Sequence, residues 1–185
     1  YVYDAKSIDT ELADIRNILS HMESYFHGES SGVDPLVSLT GKSYASFEGK
    51  GSLHDLVIPK SLSLHIILTN TDRQTAPLIT FFRESMGKNK FASRIYDEQI
   101  PAVHNFISAW GDGRVSDVES AFRTIGAIEW DLCKPMITKE IKPWWKQSLE
   151  SDDFSIKLCG AGGGGAYLAC GEIPEDLPFK TLRIV

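Results

Sequence analysis

Two carboxylates and a run of glycines are the residues whose types and spacing could do chemistry in this 185-residue chain. Glu23 lies at the edge of an apolar-periodic stretch. Asp34, eleven positions later, follows His27-Gly28-Glu29-Ser30-Ser31-Gly32-Val33 and precedes Pro35. Two Gly, two Ser and a Pro predict a structured loop there. A carboxylate near a helix end and another in the loop beyond it can converge on one pocket. One can bind a divalent cation while the other meets a hydroxyl, the division of labour that phosphoryl transfer needs. Taken alone, the pair reads more simply as a surface Glu and a turn Asp before Pro35.

The second signal is Gly160-Ala161-Gly162-Gly163-Gly164-Gly165, preceded by Lys157-Leu158-Cys159. Glycine permits positive φ and close approach of the backbone, and successive N–H groups pointing inward make an anion nest. No Lys-Ser/Thr follows, so it is not a P-loop. The surrounding chain lacks the βαβ unit and downstream acid of a dinucleotide-binding fingerprint. The competing reading is a tightly packed turn. A third candidate is Thr69-Asn70-Thr71-Asp72-Arg73-Gln74-Thr75, polar residues at the end of an expected strand, which also suit a helix-capping turn before Pro77. The five histidines show no metal-ligand spacing. His65 sits in an apolar run and reads as a core histidine, whereas His27 opens the Asp34 loop. The four tryptophans read as packing residues.

The elements that must position these groups follow from periodicity. Ile8, Leu12, Ile15, Leu19, Met22 and Phe26 are spaced 4, 3, 4, 3, 4, one face of a helix. Residues 36–47 are mixed in polarity and predict short extended segments with a turn at Gly41. LHIILT at 64–69 predicts a buried strand. Helices are expected over 74–87, with Pro77 in the first turn, and over 102–110, with Gly111 past the end. Ser116 and Glu119 resemble a capping box opening a helix through Ile128. A short helix begins or breaks at Pro143. Strands are expected at 155–159, 166–170 and 182–185. Strands, then helices, then strands predict an α+β fold with helices layered on a sheet.

Composition narrows the function classes. The chain is 42% hydrophobic and 24% charged, enough for a sizeable core, with a formal charge of -6. Nucleic-acid binding needs a basic stripe, which is missing. Cys133, Cys159 and Cys170 fit neither a disulfide framework nor a zinc site and read as free thiols of a reducing compartment. No apolar run approaches the roughly 20 residues that span a bilayer, and no signal peptide is visible. A cytoplasmic protein is expected, without nucleic-acid or membrane partners.

The three segments, in this order, resemble the GHMP kinases, and the mevalonate kinases among them most closely. Glu23 with His27-Gly28-x-x-Ser31-Gly32-Val33-Asp34 is similar to that family's E-x-x-x-H-G-x-x-S-G-x-D segment. Residues 68–75 resemble its strand and Thr-bearing turn, shortened by a couple of residues. Residues 157–166 resemble its K-L-x-G-A-G-G-G-G motif. The resemblance implies ATP and Mg²⁺ as cofactors and a small-molecule acceptor, mevalonate first. A phosphomevalonate or sugar kinase, or a non-catalytic ligand-binding relative, are the alternatives. It implies that Asp34 faces the acceptor hydroxyl and that Glu23 binds Mg²⁺. His27, Ser31, Gly32 and Thr75 would line the substrate. Gly160, Ala161, Gly162, Gly163 and Gly164 would support the phosphates. Residues 1–58 would end the family's N-terminal domain, and 59–185 would form a ferredoxin-like C-terminal domain with helices on an antiparallel sheet. The family's ATP loop, P-x-x-x-G-L-G-S-S, and its N-terminal substrate lysine do not occur. The chain is therefore expected to need a missing N-terminal segment of the same protein as partner. A homodimer is compatible with this reading.

Overall fold

The computed structural model describes residues 5–28, 30–46, 53–56, 59–72 and 75–184. The chain divides into two compact units, Tyr1–Val57 and Ile58–Val185.

In the first unit, helix α1 (Ala5–His27) is followed by a tight turn, helix α2 (Val33–Thr40) and an antiparallel pair, β1 (Ser43–Ser46) and β2 (Leu53–Leu56). The apolar periodicity of α1 is real, but its face is only partly covered. Leu12 and Leu19 are half-buried, while Met22, Tyr25 and Phe26 are exposed. Helix α2 corrects two expectations: that Val33 to Pro35 belong to a loop, and that extended chain starts at Leu36. The helix forms because Gly32 takes the left-handed conformation before it, at φ 70°. Asp34 lies in its first turn, where negative charge suits the helix dipole. Pro35 falls where a missing N–H costs nothing, and Leu36 is fully buried. Gly41, also left-handed, closes the helix and donates to the Val37 carbonyl. Of the extended segment expected through 47, β1 remains, and Phe47 lies outside the described residues.

The second unit is built on a four-stranded antiparallel sheet in the order β4-β5-β3-β6. The strands are β3 (Leu64–Leu68), β4 (Phe154–Leu158), β5 (Ala166–Gly171) and β6 (Lys180–Arg183). Between β3 and β4 run α3 (Thr75–Met86), α4 (Asn89–Arg94), a π-helical turn (Ile95–Gln99), α5 (Ile100–Gly111), α6 (Val115–Leu132), a 3-10 turn (Lys134–Met136) and α7 (Lys142–Glu150). The expected α+β architecture, helices on an antiparallel sheet, is the one observed. Helices α6 and α7 pack on β4. The core joins Ile67, Ile156, Leu158 and Tyr167 of the sheet to Ile141 and Trp145. Trp145 is fully buried, donates its Nε1–H to the Gly126 carbonyl at 3.2 Å, and meets the Tyr167 ring edge-on at 5.8 Å. Gly126 lets α6 lie this close to the sheet, since a Cβ there would stand 2.2 Å from the Ile156 carbonyl oxygen.

Three local expectations are corrected here. The helix expected to start at residue 102 extends back through the π turn and α4. Pro101 has no N–H for the Asp97 carbonyl, and the chain absorbs this with a wider turn, the Ile100 N–H bonding to the Ile95 carbonyl. Gly113, not Gly111, holds the left-handed position after α5. Ser116 is not a cap: α6 starts at Val115, with Arg114 before it and no side-chain cap bond. Arg114 pairs instead with Asp112 and Asp117. No described helix is long and apolar enough to cross a membrane. Cys133, Cys159 and Cys170 are free. Burial pushes the Cys133 and Cys170 thiols up to about 12, so both stay protonated and inert.

Candidate functional site

The predicted carboxylates share the first unit, and a hydroxyl relay ties their elements together. The Ser30 hydroxyl donates to Glu23 Oε2 in a short hydrogen bond. Ser30 Oγ in turn accepts the Gly32 N–H at 3.0 Å, and the Ser20 hydroxyl donates to the Ser30 carbonyl at 2.6 Å. The turn is thereby pressed onto α1. A Cβ on Gly32 would lie 2.3 Å from the Arg16 carbonyl oxygen, so only glycine fits this contact and this φ. The effect is to fix the first turn of α2, with Asp34 exposed on it, directly after the Glu23 partner. Ser31 is exposed and accepts the Val33 N–H at 3.3 Å. The side chain of His27 lies outside the described residues.

Sequence reasoning missed Ser30. Of the two adjacent serines it selected Ser31, from motif wording, although Ser30 carries the bond to Glu23. The signal was available in principle. A hydroxyl two residues before a glycine turn can bond that turn's N–H, as an ST-turn does.

In the second unit the glycine loop and the turn after β3 are brought together. Thr69 donates its N–H to the Gly165 carbonyl at 3.0 Å, and Gly165 donates back to the Thr71 carbonyl at 3.0 Å. Gly163 donates to the Met136 carbonyl at 2.7 Å. A Cβ on Gly162 would stand 2.4 Å from the Met136 oxygen, and one on Gly164 2.8 Å from the Thr71 oxygen. Much of the glycine content is therefore required by packing, and the Gly163 and Gly165 N–H groups are spent on protein carbonyls. Thr75 opens α3, but its side chain lies outside the described residues, as do Arg73 and Gln74. His65 is half-buried, with Nε2 at 3.0 Å from the Ser63 hydroxyl. Burial, then Arg183 across the strand pair, lowers its pKa.

Behind the glycine loop lies a buried carboxylate that sequence reasoning did not single out. Glu129 of α6 accepts the Leu158 N–H at 2.7 Å, fixing the last residue of β4 before the loop. Its pKa is raised by burial, with Lys157, the Leu158 N–H and Gln99 acting in the opposite sense. Cys133, which also faces it, remains a neutral thiol. A carboxyl group with a raised folded-state pKa contributes stability below its unfolded value, near 4.5, and loses it as pH rises through the folded value. Glu129→Gln, which keeps an acceptor for the Leu158 N–H, is expected to unfold at a progressively higher temperature than the parent as pH increases above about 4.5. Thermal unfolding of both proteins from pH 4 to 8 measures the divergence. Parallel curves would contradict it.

Mg²⁺ is bound by hard oxygens, typically one or two carboxylates with phosphate oxygens and water. Glu23, with a second oxygen not engaged by Ser30, fits that donor type. Among the described residues no group of three His, Cys, Asp or Glu forms a metal cage.

Among solved structures, the chain superposes on L. major mevalonate kinase, crystallised with R-mevalonate, at a TM-score of 0.65. The two are 19% identical, over 87% of this chain and 54% of that one. The fold is shared with the matched part of that kinase. Streptococcus pneumoniae phosphomevalonate kinase, in complex with phosphomevalonate and AMPPNP, matches with a TM-score of 0.53 and 14% identity, over 74% of this chain and 44% of that one. The Lin0012 protein from Listeria innocua matches at 0.55 and 17%, over 71% and 42%. The chain thus spans about half the length of the mevalonate kinase and less of the other two. No protein-family model and no curated protein sequence matches it.

Proposed function

We propose that this chain is part of an ATP-dependent small-molecule kinase of the GHMP family that transfers the γ-phosphoryl group to a hydroxyl, with mevalonate as the first candidate acceptor. The observation that carries the reading is the Glu23–Ser30–Gly32 relay, which fixes an exposed Asp34 in the first turn of α2. The likeness of fold to mevalonate and phosphomevalonate kinases supports it. Residues 1–58 are then the end of the family's N-terminal domain and 59–185 its C-terminal domain. The exposed apolar residues of α1 support a further part of the fold as their cover.

In this reading Asp34 accepts a hydrogen bond from the acceptor hydroxyl, orients its oxygen and takes its proton as the bond to phosphorus forms. Glu23, held by Ser30, contributes a carboxylate oxygen to Mg²⁺. When bound, the ion neutralises charge on the phosphates. His27, Ser31 and Gly32 of the first unit contact the acceptor. The loop from Gly160 to Gly164 supports the phosphate region through the N–H groups that are not tied to Met136 and Thr71. A non-catalytic GHMP-fold protein is the second reading, favoured by one observation: the loop's Gly163 and Gly165 N–H groups are already satisfied within the protein.

The discriminating experiment uses the longest form of the protein in a coupled ADP-release assay with mevalonate, phosphomevalonate and a sugar panel. Turnover is expected with mevalonate. Turnover on phosphomevalonate or a sugar alone would reassign the acceptor, and ligand binding without turnover would favour the second reading.

A further inference from the structure

The Ser30 hydroxyl has one proton to donate, and its surroundings fix where that proton goes. Oγ accepts the Gly32 N–H at 3.0 Å, and the Ser30 carbonyl accepts the Ser20 hydroxyl at 2.6 Å. Ser20 is anchored in turn, since its carbonyl accepts the Ser24 hydroxyl at 2.7 Å. Side chain and backbone of Ser30 are thus both held against α1. With Oγ already an acceptor, its O–H is directed to Glu23 Oε2. Glu23 and Ser30 are half-buried, so water competes poorly for this bond. A hydrogen bond to a carboxylate is also stronger than one between neutral groups. Glu23 therefore presents two unequal oxygens. Oε2 is tied to a hydroxyl, and Oε1 is left for an ion.

We propose that Ser30 sets the metal selectivity of the Glu23 site: by holding Oε2, it confines the carboxylate to binding through one oxygen, which favours Mg²⁺ over Ca²⁺. The proposal rests on the reading of Glu23 as the Mg²⁺ ligand. It goes further by giving the choice of ion to a residue that touches only the ligand. Ca²⁺ takes more oxygens in a flexible geometry and accepts both oxygens of one carboxylate. Mg²⁺ is smaller and demands near-octahedral geometry, for which a single carboxylate oxygen suffices. To gain the second oxygen, Ca²⁺ has to displace the Ser30 hydroxyl from Oε2. That leaves the O–H without its acceptor in a half-buried turn, at a cost Mg²⁺ does not meet. Ser30 is in this sense a positioning residue.

The test reads binding and not turnover. The longest form of the protein is titrated with AMPPNP in excess Mg²⁺ and, separately, in excess Ca²⁺. The parent is expected to bind the Mg²⁺ complex about 10-fold more tightly than the Ca²⁺ complex. Ser30→Ala is expected to bring the two affinities within about twofold, by tightening the Ca²⁺ complex. Mere loosening of the turn weakens both complexes alike and leaves their ratio unmoved. Ser30→Thr, which keeps the hydroxyl, should restore the parent ratio. Ser30→Cys, a weak donor of similar shape, should fall between, and it decides the matter should the Ala variant fail to fold. Glu23→Gln should weaken the Mg²⁺ complex and remove the preference. If Glu23→Gln does so but the ratio is unchanged in Ser30→Ala and Ser30→Cys, the role of Ser30 alone is overturned. If the parent shows no preference, or Glu23→Gln binds as the parent does, the proposal falls; in the second case the reading of Glu23 as metal ligand falls with it.

Discussion

Asp34→Asn is expected to lower turnover about 1,000-fold in the complete enzyme while lowering the unfolding midpoint by no more than about 4 °C. General acid–base and positioning groups contribute about 10²- to 10⁴-fold, and Asn keeps the shape while removing the charge that accepts the hydroxyl proton. Stability is spared because Asp34 is exposed, and substitutions at such sites usually stay within about 0.5 kcal/mol. Only the favourable placement of a negative charge in the first turn of α2 is lost, typically about 0.3–1 kcal/mol. The kinetic split matters as much as the size. A group acting on the reacting oxygen lowers kcat, whereas one that only binds substrate raises KM. Steady-state kinetics on purified parent and variant provide the check, and unchanged kcat would remove Asp34 from the mechanism.

Gly32→Ala is expected to be the most damaging single-methyl change among the described residues of the first unit. Two costs add. The left-handed conformation at φ 70° disfavours any side chain by about 1–2 kcal/mol. The new methyl would also stand 2.3 Å from the Arg16 carbonyl oxygen and 2.9 Å from the Ser20 N, both rigid helix backbone. Overpacking of this kind typically costs about 1–3 kcal/mol. To relieve the contact, the turn must lift off α1, which breaks the Gly32 N–H bond to Ser30 and loosens the Ser30 contact with Glu23. Hydrogen exchange should show faster opening of α2 and its turn with little change in the β3–β6 sheet. Activity should fall even where the protein remains folded. Gly41→Ala is the internal control. Gly41 has a positive φ too, but no neighbour within 4 Å of the added methyl, so it should show the conformational cost alone.

The architecture was legible where one physical signal dominated. The apolar run at 64–68 became β3, paired on its two edges by β5 and β6, with Leu64 and Ile67 buried. The 3.6-residue rhythm identified α1 and most of α6. Legibility failed where a tertiary or i→i−5 contact overrode the local pattern. Helix α2 was hidden because Leu36 is its one buried residue and an eight-residue helix offers few turns of periodicity. The helix expected to start at 102 was begun too late because sequence alone does not show that a π turn can carry the helix past Pro101. At the candidate site, the carboxylates and the glycine run were visible as residue types. Their physical partners were not. Ser30 was outranked by its neighbour Ser31. Glu129 lay anonymous in an amphipathic helix until the fold brought the Leu158 N–H to it across 29 residues. The packing demands on Gly162 and Gly164 come from Met136 and Thr71, which no local reading of a glycine run contains.

Phosphorus-31 NMR of the longest form of the protein with ATP, Mg²⁺ and mevalonate tests the central claim most directly. The account predicts loss of the γ-phosphate resonance, growth of ADP, and one new phosphate monoester signal coupled to the acceptor's CH₂ protons, all suppressed in Asp34→Asn. Mevalonate and ATP bound by the parent protein, with no monoester formed, would contradict it.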